Sequence, residues 1–371
     1  MSDSVGIYLH IPFCVRKCLY CDFCSAAASE SVHEMYIAAL CGEIDAFAGS
    51  VRPVDTLFIG GGTPSILEPL LIEQVMTALD RKFDLSSCRE VTLEANPATV
   101  TRQKARAYRA LGFTRASIGI QSFNDAELRL LGRLHTAKDA VECAETFADA
   151  GFDNLNFDLM YGIPSQTYES FRRTLQTALS LAPAHLSAYS LILEEGTPLY
   201  GKQNELSFPS AEEERAMYDL LTETTALHGY RHYEISNYAR KGCECRHNLR
   251  YWQRKDYISF GVAAHSCIGN LRCAHTEHLE NYLAGERGEH VVESLTEAEV
   301  DAERVMLGLR TSDGVDEHLL NAVAGEDKAP FLARCEREGY LVRKDGKIAP
   351  THAGMYVSNA ILREILPLFS K

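Results

Sequence analysis

Four cysteines lie within eleven residues near the start of the chain, in the stretch HIPFCVRKCLYCDFC that runs from position 10 to 24. Cys14, Cys18 and Cys21 have the spacing C-x3-C-x2-C, and Cys24 follows three residues later. A structural zinc site usually has a second pair of ligands, and the nearest candidate, CEC at 243–245, has the wrong spacing. A redox pair at Cys18 and Cys21 would leave Cys14 without a role. Three thiolates on one short loop favour an iron–sulfur cluster with one iron left open.

The composition is that of a folded protein of 371 residues, with 46% apolar and 24% charged residues. Lysine and arginine number 37 against 51 aspartates and glutamates, so the net charge is −14, which argues against binding of nucleic acid through a broad basic face. No secretory signal and no run of eighteen apolar residues is visible. We therefore expect a cytoplasmic protein without a transmembrane segment, although peripheral membrane contact stays open. Its twelve cysteines are then predicted to be reduced thiols or metal ligands.

Short β-rich runs, each followed by a helical pattern, recur along the first half of the chain. The predicted strands are 5–11, 56–61, 90–96, 116–122, 154–162 and 185–193, and the predicted amphipathic helices are 31–48, 67–81, 101–111 and 167–181. This alternation predicts an α/β fold with a parallel sheet and helices outside it. Six units are too few for an eightfold barrel, so we predict a partial (βα)6 barrel.

Ligands of parallel α/β sheets bind at the carboxyl ends of the strands. The cysteines follow the first predicted strand, and GGGTP (60–64) follows the second. The next three strands end in polar residues, which are Glu94, Asn96, Gln121, Ser122 and Asp158. Each one alone is typical of a turn. Polar groups at five successive strand ends predict one shared pocket.

The cysteine spacing, the glycine triplet and the partial barrel together resemble the radical S-adenosylmethionine (SAM) enzymes. The resemblance implies that Cys14, Cys18 and Cys21 hold a 4Fe-4S cluster, whose fourth iron binds the amino and carboxylate groups of SAM. It also implies that Tyr20 covers the adenine and that residues 60–63 receive the amino group. Independently of the resemblance, successive glycines let the backbone approach a ligand closely. A plain strand-to-helix turn is a reasonable explanation of one glycine and a poor one of three.

Further motifs narrow the resemblance to the family of oxygen-independent coproporphyrinogen III oxidase and its relative, the heme chaperone HemW. These motifs span nearly the whole chain and are YLHIPFC, GGGTPS, LEANP, GIQSFN, LGRLH, NFDLMYGIP and HNLRYW. By this resemblance SAM would be contacted by Tyr8, Tyr20, Gly61, Gly62, Thr63, Glu94, Gln121, Arg133 and Asp158. Periodicity does not single out Arg133, which we place on a helical stretch.

Three features favour the chaperone branch over the oxidase. Phe23 stands where the oxidase has a further cysteine. Only seven residues precede Tyr8, where the oxidase has a substantial N-terminal extension. HNLRYW (247–252) matches the H-N-x-x-Y-W motif of the chaperone branch, which is associated with heme binding.

His247 of this motif is the predicted heme contact, because imidazole is a common axial ligand of heme iron. The alternative interpretation is an ordinary loop histidine. His265 and the pair Cys243 and Cys245 are further candidates for the heme site. Cys24 departs from the patterns of both relatives and is predicted not to be a ligand.

Three regions are predicted along the chain. Residues 1–230 form the partial barrel, 231–296 a connecting region with the HNxxYW motif, and 297–371 a small C-terminal module. In the module, a capping box at 296–299 begins a helix, Asp-Gly at 345–346 turns a hairpin, and an amphipathic helix follows. This order predicts a winged-helix-like α+β module, which in so acidic a chain we expect to pack or to dock a partner rather than to bind DNA.

The residues and the resemblance together predict a radical SAM protein that binds heme and delivers it to heme-acceptor proteins, with respiratory proteins among the candidates. The implied cofactors are one 4Fe-4S cluster, SAM and heme. Whether the chain is also an enzyme stays open. The alternatives are an oxygen-independent coproporphyrinogen III oxidase, which decarboxylates propionate side chains, and an enzyme that acts on another tetrapyrrole.

Overall fold

The structure is a computed structural model that describes residues 4–49 and 52–366. The first three residues of the predicted barrel and residues 367–371 of the predicted C-terminal module lie outside these ranges. Within the described ranges, no helix is both long and apolar enough to cross a membrane.

Strand and helix alternate along the first 227 residues, as the sequence predicts. The strands are β1 (Val5–Ile11), β2 (Val54–Gly61), β3 (Glu90–Ala95), β4 (Arg115–Gln121), β5 (Asn154–Tyr161), β6 (His185–Ser190), β7 (Arg231–Glu234), β8 (Asn237–Ala239), β9 (Tyr257–Phe260), β10 (His265–Ile268), β11 (Leu271–Ala274), β12 (His290–Ser294), β13 (Val315–Asp316), β14 (Leu341–Lys344) and β15 (Lys347–Pro350). The α-helices are α1 (Glu30–Ala46), α2 (Pro69–Lys82), α3 (Arg102–Ala110), α4 (Asp125–Leu130), α5 (Ala137–Asp149), α6 (Tyr168–Ser180), α7 (Ala211–Leu227), α8 (Arg246–Trp252), α9 (Leu279–Ala284), α10 (Glu297–Gly308), α11 (Glu317–Ala324), α12 (Ala329–Arg337), α13 (His352–Tyr356) and α14 (Ser358–Ile365). Short 3-10 helices are Pro64–Ile66, Pro97–Thr99, Tyr200–Glu205 and Glu326–Lys328.

One large sheet forms the body of the molecule, with the strand order β12-β11-β10-β9-β1-β2-β3-β4-β5-β6-β8-β7. Strands β1 to β6 are parallel neighbours in chain order, and β9 joins β1 in parallel. The remaining pairs are antiparallel. The predicted α/β fold with a parallel sheet is therefore confirmed. The predicted connecting region, 231–296, contributes six strands to the same sheet, and its boundaries stay a prediction.

Alternation along the strands separates an apolar face from a polar one. Ile59, Leu93 and Phe157 are fully buried in the apolar core that the outer helices share with the sheet. Leu93 and Phe157 are followed by Glu94 and Asp158, which face inward, and the parallel register places Glu94 beside Ser117. The interior of the curved sheet is therefore lined by polar side chains.

Two helices between β4 and β5 are absent from the predicted set. The longer one, α5, begins with a reciprocal capping box between Thr136 and Asp139, a local signal that the sequence does contain. The short α4 is capped by Asn124, whose side chain accepts a hydrogen bond from the Ala126 amide. The segment between these helices carries Arg133, a residue of the predicted site.

The C-terminal module has its own apolar core and a three-stranded sheet in the order β13-β15-β14. The predicted capping box at Thr296 and Glu299 is present, and the hairpin turns at Asp345 and Gly346, both with positive φ. Helices α11 and α12 are additional to the prediction. The predicted last helix is divided at Val357 into α13 and α14, so the expectation of one continuous helix is wrong.

The last two glycines of the triplet, Gly61 at the end of β2 and Gly62 after it, pack against the segment that leads into the cysteines. A Cβ atom on Gly62 would lie 2.6 Å from the carbonyl oxygen of Phe13, and Gly61 has a φ of 106°. Gly61 and Gly62 thus meet a requirement of protein packing, because a Cβ atom at either position would push the segment that leads into the cysteines away from β2.

Replacing Gly62 with alanine should lower the free energy of unfolding by about 1–3 kcal/mol, because backbone atoms cannot move aside as a side chain can. The measurement is urea unfolding followed by circular dichroism. Gly201→Ala is the control, since a Cβ there would meet no heavy atom within 4 Å. Equal midpoints for the two variants would contradict the packing argument.

Candidate functional site

A cavity of about 350 Å³ opens at the carboxyl ends of the parallel strands. Eleven of the thirteen residues predicted to bind metal or cofactor line it, namely Cys14, Cys18, Cys21, Tyr20, Gly61, Gly62, Thr63, Glu94, Gln121, Arg133 and Asp158. Its volume is typical of a small-molecule site. Tyr8 and His247 do not line it. The strand ends therefore converge, as the sequence predicts.

The cysteine segment between β1 and α1 is fixed by a hydrogen bond within itself and by hydrogen bonds to two other parts of the barrel. The Cys14 amide donates a hydrogen bond to the carbonyl of Ala26 at 3.1 Å. Leu19 donates to the carbonyl of Leu131 at 3.0 Å and accepts from the Leu199 amide at 2.8 Å. These backbone contacts hold the three thiols at the cavity wall without help from the thiols themselves.

Arg133 lies beside the cysteines. Its Nη1 donates to Cys18 Sγ at 3.4 Å, and its Nη2 donates to the carbonyl of Gly119. The expected helical position is wrong, because α4 ends at Leu130 and Arg133 belongs to the loop before α5. Its Nε has no hydrogen-bond partner within the described part of the chain. Arg133 lines the cavity as a half-buried cation, which suits a negatively charged group.

Two carboxyl groups enter the same cavity from β3 and β5. Glu94 Oε2 accepts a hydrogen bond from the Gly61 amide at 3.0 Å, and Asp158 Oδ1 accepts from Asn156 Nδ2 at 2.7 Å. Burial, with a smaller contribution from the charge of Asp158, raises the pKa of Glu94 to about 7. Burial also raises the pKa of Asp158. Carboxylates in this environment gain from a cationic ligand, which would compensate their charge.

Gln121 occupies a strained backbone position at the end of β4. Its φ is 69°, in the left-handed region that residues other than glycine rarely adopt. The Gln121 Oε1 atom accepts a hydrogen bond from the Tyr189 hydroxyl at 3.0 Å, which holds the side chain at the cavity. Strain of this kind is concentrated at functional sites.

The sixth strand contributes residues that the sequence analysis missed. Ser187 and Tyr189 of β6 line the cavity, as do Ser117 of β4 and Asn237 of β8. The sequence did contain a signal for Ser187 and Tyr189, because they are two residues apart on a predicted strand and every second residue of a strand faces the same side. Of the other predicted strand-end residues, Asn96 lines the cavity, whereas the Ser122 hydroxyl donates to Glu127 Oε2 in the buried interior.

Tyr8 lies beneath the cavity rather than in its wall. Its hydroxyl hydrogen-bonds with His10 Nδ1 at 3.0 Å, and His10 Nε2 lies 2.9 Å from the carbonyl oxygen of Cys24. Burial raises the pKa of Tyr8, so its hydroxyl stays protonated. Tyr8 therefore supports the cysteine segment through His10 in this conformation.

His247 is placed at the opposite, amino end of the barrel. Its Nδ1 lies 2.9 Å from Thr56 Oγ1 near the start of β2, and its Nε2 lies 2.8 Å from the Tyr251 hydroxyl. Burial, with a smaller effect of the Arg250 charge, lowers its pKa to about 3, so the ring is neutral. Both ring nitrogens are hydrogen-bonded, and His247 offers no free ligand atom in this conformation. Its contact with heme stays a prediction.

The other candidate ligands differ in accessibility. His265, at the start of β10, is exposed, and Cys243 is half-buried. Cys245 is fully buried, with its Sγ 3.6 Å from Glu90 Oε1. Cys24 does not line the cavity, and its Sγ donates to the carbonyl of Glu277 at 3.4 Å. Its position leaves three cysteines at the cavity.

Comparison with known proteins identifies the family. The model of the radical SAM superfamily matches residues 8–178, and that of the HemN C-terminal domain matches residues 295–357. A Bacillus subtilis (strain 168) protein named heme chaperone HemW is 34% identical over 373 residues, which cover 97% of this chain and 98% of that protein. The chain belongs to the HemW family of radical SAM proteins.

Two further comparisons are consistent with this family. The heme chaperone HemW of Escherichia coli (strain K12) is 38% identical over 293 residues, which cover 76% of each chain. The structure of coproporphyrinogen III oxidase (HemN) from Escherichia coli, described as a radical SAM enzyme, superposes with a TM-score of 0.85. That superposition covers 99% of this chain and 91% of HemN at 23% identity, so it shows the shared fold.

The cavity of this HemW-family chain fits the cofactors that the radical SAM family implies. Three thiols border one space, a guanidinium lies beside Cys18, and two carboxyl groups face the same space. In the described ranges, no group of three His, Cys, Asp or Glu is placed to hold a single metal ion.

Serine in place of Cys14, Cys18 or Cys21 should remove the iron–sulfur absorbance and reduce the iron content from about four per chain to almost none. Cys24→Ser is the matched control and should keep both, because its thiol points away from the cavity. Iron analysis and visible absorbance after anaerobic reconstitution provide the measurement. Loss of the chromophore in the Cys24 variant would overturn the ligand assignment.

The free energy of unfolding of the cluster-free protein should fall as pH rises from about 4.5 through about 7. The raised pKa of Glu94 means that the folded state binds a proton more tightly than the unfolded state, and this stabilisation is lost once the folded carboxyl ionises. Its upper bound is about 3 kcal/mol. Glu94→Gln should flatten the dependence, whereas the exposed-site control Glu73→Gln should retain it in urea titrations across this range. Identical slopes in both variants would contradict the assignment.

Proposed function

We propose that this chain is a heme chaperone, which binds heme and transfers it to acceptor proteins. The observation that carries the proposal is its 34% identity, over 97% of the chain, to a protein named heme chaperone HemW. We also propose that it carries a 4Fe-4S cluster with exchangeable SAM. The convergence of three cysteines and two carboxyl groups on one cavity supports this second part.

In this proposal Cys14, Cys18 and Cys21 hold the cluster, which when bound supplies an electron that can cleave SAM. Arg133 donates to Cys18 Sγ and stabilises the negative charge of the thiolate. The polar cavity residues orient SAM, and these are Glu94, Gln121, Asp158, Tyr189, Gly61, Gly62 and Thr63. Tyr20, which lines the wall between two of the cysteines, provides an aromatic surface for the adenine.

The helix α8, which carries HNLRYW, is the proposed heme element. Ligation of iron by His247 would break its hydrogen bond to Thr56 or to Tyr251, so α8 would have to shift when heme binds in this way. The exposed His265 needs no such movement. Ligation of heme by His247 therefore predicts a shift of α8, whereas ligation by His265 predicts no such shift.

The oxidase alternative is supported by fold alone, because HemN is 23% identical to this chain. Phe23 borders the cavity and is 63% exposed, at the position where the resemblance places a further oxidase cysteine. No thiol is available at that place in the cavity wall. The chaperone proposal is the better supported of the two.

The anaerobically reconstituted protein should bind one heme per chain and pass it to a heme-free acceptor faster than the heme dissociates spontaneously. Dissociation is measured separately with apomyoglobin as a passive trap, and transfer is followed by absorbance with an apo b-type heme protein. With SAM, a reductant and coproporphyrinogen III, no protoporphyrinogen should form. Sustained turnover with deoxyadenosine released in proportion would replace the chaperone by the enzyme, and transfer no faster than dissociation would contradict delivery.

A further inference from the structure

A second cavity lies at the amino end of the barrel, beside α8. This basic groove has a volume of about 450 Å³ and is defined here by Asp55, Arg89, Arg246, Leu249, Arg250 and Lys255. Four cations face one carboxylate, so the groove carries a net charge of 4 − 1 = +3 in a chain whose total is −14. Such a local reversal of charge attracts anions.

The cations of the groove divide into a buried floor and an exposed wall. Arg250 is buried and bonded to both carboxylate oxygens of Asp55, so this pair is part of the structure. Arg89, Arg246 and Lys255 are exposed. Across residues 4–49 and 52–366, their side chains have no ion pair or hydrogen bond, which leaves their donors available to a ligand.

The helix α8 separates the groove from the barrel interior. His247 and Tyr251 face inward, while Arg246 and Leu249, three residues apart, face the groove and present a cation beside an apolar side chain. Thr56 lines the groove and also hydrogen-bonds His247 Nδ1 at 2.9 Å. One hydroxyl group thus lies between the groove and the histidine of the motif.

We propose that the basic groove binds the propionate carboxylates of a tetrapyrrole, with Arg89 and Arg246 as the main contacts. The inference rests on the proposed function of heme binding and adds the place where heme is held. Two carboxylates on a flat apolar macrocycle match two arginines beside Leu249. Inorganic phosphate shares the anionic chemistry but offers no apolar surface to Leu249.

The test compares heme with heme dimethyl ester, which keeps the macrocycle and the iron but has no carboxylates. The cluster-loaded wild type should bind heme about tenfold more tightly than the ester in absorbance titrations. Arg89→Glu and Arg246→Glu should each weaken heme binding about tenfold and leave binding of the ester unchanged. Arg106→Glu, an exposed arginine on α3, is the control and should alter neither.

The possible outcomes distinguish a failure of the proposed groove from a failure of the proposed heme-binding function. Equal binding of heme and ester by the wild type, or unchanged heme binding in both groove variants, would overturn the groove while heme binding itself stands. A wild type that binds no heme would overturn the proposed function and the groove together. Inorganic phosphate is titrated in parallel, and variants that lose phosphate but keep heme would reassign the groove to phosphate. Far-UV circular dichroism and the iron–sulfur absorbance verify that each variant is folded.

Discussion

Charged groups buried inside the curved sheet need partners, and this constraint shapes both ends of the barrel. At the amino end, Glu90 accepts hydrogen bonds from the amides of Arg246 and His247, and Arg250 binds Asp55. Compensation at this end is incomplete, because the Nε of Arg115, the buried first residue of β4, has no hydrogen-bond partner in the described part of the chain. At the carboxyl end, burial raises the pKa of Glu94 and of Asp158, and both residues line the open cavity. The incomplete compensation at this end is what a polar ligand would satisfy.

A line of hydrogen bonds connects the two ends through the interior. Asn156 Nδ2 donates to Asp158, so its Oδ1 accepts from His185 Nδ1 at 2.6 Å. The other ring nitrogen of His185 then accepts from the Tyr233 hydroxyl at 2.8 Å, and that hydroxyl oxygen accepts the Cys245 amide at 3.3 Å. Each donor points toward the Asp158 carboxylate, which fixes one tautomer of the histidine. The residue before α8 and the cofactor cavity therefore share one rigid framework.

The parallel strands and their convergence could be predicted because both depend on local patterns, which are apolar runs and polar residues at their ends. Strands β7 to β12 were not predicted, since they have only three to five residues each, and β8 and β9 join the sheet through β6 and β1, which are distant in sequence. The position of Arg133 could not be predicted from local patterns either, because it depends on contacts with Cys18 and Gly119, which come from other parts of the fold. For His247 the motif identified the residue, whereas its two hydrogen bonds come from β2 and from one turn further along α8.

The proposed heme groove and the cofactor cavity lie at opposite ends of β2. Thr56 borders the groove and Gly61 borders the cavity, and five residues of extended strand separate them by about 16 Å. A radical reaction on a propionate requires its reacting atoms within about 3–3.5 Å of each other. A tetrapyrrole held in the groove is therefore out of reach of SAM in the cavity. Holding and releasing heme in the proposed groove requires no contact with the cluster, so this separation is compatible with a carrier.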